Sequence, residues 1–371
     1  MKKTMIVFLS LLLLLVGCAP KETDKEEIVQ KGDEPVEQEV SIVPTHQLSK
    51  SNYRMILPFR PSEARGVIVS QVANRLDIGE MEEGLRRHST DVFDPEKYYF
   101  EEGQYLTKDI VKEWIDDINP TIKDEESKKE HNQNPRYLSH VLEQNYLEKK
   151  DGDSVELVGV SIGLAMKSVY RYTTKPGDPF EYREISKKEM QEEGNKIAEE
   201  VVERLREMDE LKDVPIMIGL YREEDQASPI PGNFIATTTV SEGKTKVGKW
   251  EPTKEEYVLF PSKQAKDNYY EDYDVVDNFG KDISDYFPNY VGYIGEGFYM
   301  DKELKKLSIE VPIEFNGAAE VVGFTQYAFG VAEGMFPKYY DLEIKIQSSD
   351  KLHSVIYREA GEEELTVHIF H

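Results

Sequence analysis

Gly159-Val160-Ser161-Ile162-Gly163 carries the G-x-S-x-G spacing of a nucleophilic serine. That chemistry needs the serine on a sharp strand-to-helix turn, with an oxyanion hole and a later acid and histidine. The flanking residues do not break in that way. Val158, Val160, Ile162, Leu164 and Met166 alternate straight through the pattern, which predicts one uninterrupted strand with small residues on its other face. Asp272, Asp274, Asp277 and Gly280 place oxygen ligands at short intervals. The acid at the fifth position, the glycine at the sixth and the glutamate at the twelfth of a calcium loop are missing. A solvated acidic loop with interleaved tyrosines is expected there, without a metal. The seven histidines form no H-E-x-x-H pattern, and no Gly-Lys-Ser/Thr follows Gly292, Gly295 and Gly297. No catalytic signature and no cofactor is expected.

Tyrosine is the other abundant chemical group, at 22 residues against 15 Phe and 2 Trp. Tyr269, Tyr270, Tyr273, Tyr293 and Tyr299 crowd one region together with Tyr286 and Tyr290. Such rings offer rigid contact area with a hydrogen-bonding tip, so the first five are candidates for a groove that takes peptide or glycan. Half-buried packing accounts for the same residues and is the favoured reading.

Cys18 is the only cysteine in 371 residues, so no disulfide and no thiolate metal site can form within the chain. Its context is specific. Lys2 and Lys3 precede an almost wholly apolar run from Met5 to Val16, and Leu15-Val16-Gly17-Cys18 follows. A charged start, a short apolar core and a small residue before the cut make a secretory signal. The core is too short to span a bilayer, which takes roughly 20 residues. The ending resembles the lipobox of bacterial lipoproteins. That resemblance implies diacylglyceryl transfer to Cys18 by the prolipoprotein acyl transferase and a cut between Gly17 and Cys18 by signal peptidase II. It also implies a lipid anchor on the outer face of the cytoplasmic membrane. Two acyl chains hold a protein stably where one does not.

Residues 18–50 are acidic and poor in aromatics, with Pro35 and Pro44 interrupting. They bury too little apolar surface to fold alone and read as a flexible tether with a reach on the order of 30 Å. The formal net charge is −26, and loss of Lys2 and Lys3 with the signal makes it two units more negative. A chain so acidic repels nucleic acid. The charge is spread evenly and localises no cationic partner.

The elements that position these residues lie beyond Ser51. Strands are predicted at 53–58, 66–70, 214–221, 233–240, 257–260, 307–315, 342–347, 354–358 and 365–370, and a strand pair at 155–172. Thr107 to Ile118 reads as a helix capped by Thr107 and stopped by Pro120. Ser186 to Leu211 reads as a second, with Ser186 and Glu189 as a capping box. Asn316 to Phe336 reads as a third, weakened by Gly323, Gly330 and Gly334. The alternation of strands and helices predicts an α+β fold. The Pro-rich run Ser228-Pro229-Ile230-Pro231-Gly232 suggests a boundary near Ala227, dividing 51–226 from 227–371. Glu102-Gly103-Gln104-Tyr105-Leu106 resembles Glu296-Gly297-Phe298-Tyr299-Met300, a hint that the halves are duplicates.

Tyr53-Arg54-Met55-Ile56-Leu57-Pro58, Ala64-Arg65-Gly66-Val67-Ile68, Asn74-Arg75-Leu76-Asp77 and Glu83-Gly84-Leu85-Arg86-Arg87 resemble the CamS family of Gram-positive lipoproteins. Phe93-x-Pro95-x-Lys97-Tyr98-Tyr99-Phe100, leading into Glu102 to Leu106, does so too. The resemblance implies two related α/β repeats of mixed or antiparallel sheet with packed helices. It also implies a sex pheromone precursor, in which a short apolar peptide from the cleaved signal acts in mating. Ile6 to Gly17 would supply that peptide; export alone also explains the segment. For the mature body two functions stay open. One is a binding module of unknown ligand, and the other is an extracytoplasmic enzyme using carboxylates on cell-wall material. Paired acids in a cleft would favour the enzyme, and an acid-poor, tyrosine-lined groove would favour the binding module.

Overall fold

The computed structural model describes residues 27–31, 40–43, 52–66, 73–150, 154–287, 290, 292–314 and 317–370, the first two stretches as backbone only. The signal segment, Cys18 and the strand expected at 66–70, Gly66 apart, lie outside these residues. Within the expected tether, β1 (Glu27–Lys31) and β2 (Val40–Val43) pair antiparallel. Their β-branched residues suit a strand.

The first unit begins with β3 (Arg54–Met55), β4 (Asn74–Arg75), α1 (Ile78–Ser89) and β5 (Tyr99–Glu102). It continues with α2 (Lys108–Ile118), α3 (Lys128–Gln133), β6 (Leu138–Lys149), β7 (Ser154–Met166) and the hairpin β8 (Val169–Tyr172) and β9 (Glu181–Glu184). Then come α4 (Lys187–Arg206), β10 (Ile216–Arg222), β11 (Glu224–Asp225), β12 (Asn233–Val240) and β13 (Glu251–Pro252). The second unit holds β14 (Glu255–Phe260), α5 (Lys263–Asn268), α6 (Tyr270–Ser284), β15 (Ile294–Met300) and β16 (Glu303–Pro312). It ends with α7 (Ala318–Met335), β17 (Asp341–Gln347), β18 (Leu352–Arg358) and β19 (Thr366–Ile369).

The helices form where the sequence supplies both a cap and an apolar stripe. The Thr107 hydroxyl accepts the Ile110 N–H, and Val111, Trp114 and Ile115 are buried. Ser186 accepts from the Glu189 N–H, and Met190, Ile197, Val201 and Leu205 line the buried face of α4. The Glu189 carboxylate in turn takes a hydrogen bond from the Ser186 backbone, as the capping box expects, and it also accepts from the Tyr137 hydroxyl at 2.8 Å and pairs with Arg183. Gly323, Gly330 and Gly334 do not interrupt α7: they lie off its buried stripe, which runs through Val321, Phe324, Ala328 and Ala332.

The two sheets share one plan. The first runs β13-β12-β10-β7-β6-β5-β3, and the second β19-β18-β17-β16-β15-β14. In each, the central pair is parallel, β7 with β10 and β16 with β17. The chain crosses over between its strands through one long helix, α4 or α7. The two strands on either side pair antiparallel in both units. Six strands therefore match one for one, and the expected duplication is present in the topology. The pentapeptides that hinted at it are not equivalent. Glu102–Leu106 starts on the last residue of β5 and runs past its end, whereas Glu296–Met300 lies within β15, the counterpart of β6.

The boundary also differs from expectation. β12 and β13 complete the first sheet, so the change of sheet falls at Thr253-Lys254 and not near Ala227. The Pro-rich run is a wide turn on the way from β10 to its antiparallel neighbour β12; Pro and Gly mark a turn, not a domain edge. The true join has no breaker. Thr253 N–H donates to the Ile235 carbonyl in the first sheet, and the Lys254 carbonyl accepts from Asp301 N–H in the second.

One face of the first sheet packs on α2 and α4 through Val160, Ile162, Leu164, Ile216 and Ile218. The other packs on α1 through Met81, Leu85, Tyr146 and Phe234. In the second sheet Leu307, Ile309, Leu342 and Ile344 meet α6 and α7. By strand alternation the opposite face carries Leu259, Glu296, Ser308 and Glu343 in one cross-strand row. Among the described residues no helix of the second unit packs on that face.

Candidate cleft between the two units

The uncovered face of the second sheet and the first turns of α1 enclose a cleft of about 840 Å³. Helical spacing sets one wall. Asp77 caps α1 by accepting the Glu80 N–H at 3.1 Å, and Glu80, Glu83 and Arg87 follow on one stripe, three, four and seven residues apart. Strand alternation sets the other wall, with Tyr257 and Leu259 from β14, Ile294, Glu296 and Phe298 from β15, and Lys306 from β16. Pro229 and Pro231 of the wide turn close one side.

At its inner end the cleft is fastened by a buried ion cluster. The Glu255 carboxylate is wholly buried and lies 2.8 Å from Arg87 Nη2 and 2.9 Å from His88 Nε2. Its second oxygen accepts the Phe234 N–H at 3.1 Å. Burial opposes ionisation of Glu255, but the His88 ring and the Arg87 charge outweigh it and hold the carboxyl below its usual range. Arg87 also bonds Glu80 at 2.9 Å and lies 4.4 Å from the centre of the Phe298 ring, a cation–π contact. One arginine of the first unit thus touches β14 and β15 of the second.

Two cleft acids shift the other way. Burial pushes Glu80 up despite Arg87, and its oxygens also hydrogen-bond the Tyr257 hydroxyl. Burial pushes Glu296 up, and the charge of Glu80 adds to the effect. Asp77 pairs with Arg75 at 3.0 Å, Glu343 with Lys345 at 2.6 Å, and Glu310 accepts from Gln347 at 3.2 Å.

Of the five tyrosines proposed from sequence, only Tyr293 lines the cleft. Its ring rests against Gly280, where a Cβ would come within 2.3 Å. Tyr299 is 1% exposed, stacks on Tyr269 at 3.9 Å and donates to Asp272 at 2.8 Å. Tyr269 donates to Glu256 at 2.5 Å. Tyr299 belongs to the core of the second unit, and Tyr269 packs against it. Tyr273 packs beside that core, and Tyr270 is 60% exposed on α6, away from the cleft. Asp272, Asp274, Asp277 and Gly280 are helical, contrary to the acidic loop expected. Val276, Phe279, Gly280 and Ile283 form the buried stripe of α6, a spacing present in the sequence but masked there by the acids and the glycine. Among the described residues no group of acids and histidines is placed to hold a metal.

Ser161 stands in mid-strand, wholly buried, 3.0 Å from the Tyr146 hydroxyl. There is no elbow for a nucleophile. The flanking glycines serve packing: a Cβ on Gly159 would fall 2.1 Å from the Phe93 ring, and one on Gly163 would fall 2.8 Å from Met81.

Sequence reasoning passed over Arg87, Glu255, Tyr257, Glu296 and Phe298 as site residues. Arg87 lay in one of the quoted motifs, Glu83 to Arg87. Glu296 and Phe298 lay in the pentapeptide Glu296 to Met300, Tyr257 opened the strand expected at 257–260, and Glu255 carried no signal.

Comparison with known proteins places this arrangement. A family model described as CamS sex pheromone cAM373 precursor matches residues 59–364. The crystal structure of a sex pheromone precursor from Lactobacillus salivarius subsp. salivarius UCC118 is similar, with a TM-score of 0.80 at 30% identity. The match covers 89% of this chain and 99% of that one. The C-terminal domain of the sex pheromone staph-cAM373 precursor from Staphylococcus aureus matches with a TM-score of 0.69 at 29% identity, over 80% of this chain and 96% of that one. Curated proteins give no match.

Proposed function

Because the chain belongs to the CamS family of sex pheromone precursors, we propose that it is a lipid-anchored extracytoplasmic protein whose folded body binds a ligand in the cleft between its two units. The observation that carries the binding role is the cleft itself. Its volume falls in the range of small-ligand sites, and it sits where two units meet. The ordered sequence Lys2-Lys3, apolar core and Leu15-Val16-Gly17-Cys18 supports the anchor. Acylated Cys18 would then hold the body to the bilayer, after processing by the acyl transferase and signal peptidase II.

Two measurements test this. Palmitate labelling and membrane fractionation of the native chain and Cys18→Ala address the anchor; equal membrane retention of both would end that reading. Hydrogen exchange of the mature lipoprotein in micelles, with and without pooled wall fragments, addresses the cleft. Slowed exchange is expected around 75–87 and 257–298, and unchanged exchange there with every pool would remove the binding role. The apolar segment Ile6 to Gly17 is the proposed source of a released mating peptide. Mass spectrometry of labelled peptides in the medium should recover a fragment of it that is active in a conjugation-response assay.

A second reading, a carboxylate-dependent enzyme acting on wall material, gains from Glu80 and Glu296 lining the same cleft. Against it, Glu80 is already bonded to Arg87 and Tyr257. Loss of a wall-hydrolysing activity in Glu296→Gln would favour it.

A further inference from the structure

We propose that the ligand of this cleft is a short peptide presenting a protonated lysine-type amine, with Glu296 as the carboxylate that receives it. The inference rests on the binding role proposed above and specifies its chemistry.

Charge complementarity sets the sign. Asp77, Glu80, Glu83, Glu296, Glu310 and Glu343 line the cleft against Arg75, Arg87, Lys306 and Lys345. Arg87 is further engaged by Glu255, which lies behind the wall. Among the described residues Glu296 is the half-buried cleft acid with no hydrogen bond or ion pair of its own, while Asp77, Glu80, Glu310 and Glu343 each have one. The charges of Arg75 and Lys306 favour the ionised form of Glu296, but neither makes a direct contact with it, and an incoming ammonium would supply that contact to a partly desolvated carboxylate. The N-terminus of α1 opens into the cleft, but Asp77 already caps it, which removes the usual anion site of a helix start.

Shape and surface argue for an extended chain with an aliphatic arm. Glu296 lies in β15 between Leu259 of β14 and Ser308 of β16. Ile294 stands two residues away along the strand, 56% exposed, and Phe298 two residues the other way. Tyr257 and Tyr293 add ring surface at the rim. Apolar surface flanking one carboxylate suits the methylene stem and charged tip of a lysine side chain.

The test uses the mature acylated protein in micelles and two uncharged-end tetrapeptides, acetyl-Ala-Ala-Lys-Ala-amide and its Nε-acetyl-lysine analogue, with calorimetry and hydrogen exchange. The lysine peptide should bind roughly tenfold more tightly, the worth of one additional ion pair of about 1.4 kcal/mol. Glu296→Gln should erase that preference. Leu259→Arg, which sets a competing cation beside Glu296 on the neighbouring strand, should erase it independently. Equal affinity for both peptides, with slowed exchange at the cleft, would overturn the amine preference and leave the binding role standing. No binding of the lysine peptide at millimolar concentration would overturn it as well, and the wall-fragment experiment would then judge the broader role alone.

Discussion

Glu143 Oε2 accepts the Leu106 N–H at 2.6 Å, joining the middle of β6 to the residue that leads into α2. The same carboxylate accepts the Gln104 and Tyr105 N–H groups at 3.0 and 3.1 Å. The turn therefore folds onto a side chain from another strand. Gly103 permits the approach, since a Cβ there would fall 2.5 Å from that of Glu143. Replacing Glu143 by Ala strands buried backbone donors, each costing about 1–3 kcal/mol. A loss of about 3–5 kcal/mol is expected in urea unfolding, with Glu143→Gln losing roughly half as much. A loss below about 1 kcal/mol for the alanine variant would show that the turn holds by other means.

Arg87 and Glu255 couple the units. Breaking a buried pair by removing one partner costs about 3–5 kcal/mol, so Glu255→Ala is expected to lower stability by that order. It should also split a single unfolding transition into two, seen by calorimetry. One sharp transition would mean that other contacts hold the units together. The pH dependence has a defined sign. The folded carboxyl of Glu255 lies below its unfolded value, so its contribution is full above the unfolded range near pH 4.3 and is lost as pH falls through the folded value. Glu80 and Glu296, pushed up by burial, act the other way and lose theirs as pH rises. The comparison must therefore be native against Glu255→Gln, with the gap closing on acidification.

His140 is buried in β6, and neither ring nitrogen finds a hydrogen-bond partner among the described residues. Burial pushes it down to about 4 from the ordinary 6.5. Its folded value is the lower one, so stability from neutral His140 is present above pH 6.5 and falls away as pH drops toward 4, by at most about 3 kcal/mol. His140→Leu should unfold at nearly the native urea midpoint at pH 7 and lose markedly less on going to pH 4.5. Parallel loss in both chains would place the acid sensitivity elsewhere.

Ser161 and Gly159 separate packing from nucleophilic chemistry. Ser161→Ala removes one buried hydrogen bond and should cost about 1 kcal/mol. Gly159→Ala drives a methyl into the Phe93 ring, which is stacked on Tyr146 at 4.3 Å, and should cost about 1–3 kcal/mol. Thermal unfolding of both variants checks the order. An esterase activity present in the native chain and absent only in Ser161→Ala would contradict the mid-strand placement of this serine.

Elements whose cap and apolar stripe are local were legible in the sequence. Thr107 with α2 and Ser186 with α4 needed no distant information. The resemblance motifs carried more than was read from them: Asn74 bonds Ser168 and Val169, Asp77 caps α1, and Arg87 reaches the second unit. What failed depended on distant partners. The acids of α6 obscured its buried stripe because the exposed face of a helix and a solvated loop share a composition. The sheet boundary was invisible because Thr253-Lys254 carries no turn chemistry. The cleft was invisible because Glu296 and Glu80 lie more than 200 positions apart in the chain and come to face one cleft only in the folded structure.

That join limits how the molecule can be dissected. Thr253 is stitched to the first sheet and Lys254 to the second. The next residue, Glu255, starts β14 while its carboxylate sits among Arg87, His88 and the Phe234 N–H. A cut or an inserted linker at 253–254 would take from the first unit an acid it needs to neutralise its own arginine. Among the described residues the β8–β9 hairpin has no counterpart in the second unit, so the plan accommodates its absence. Fluorescent or affinity tags belong at the tip of that hairpin, near Lys175 and Asp178, where the chain already tolerates a passenger.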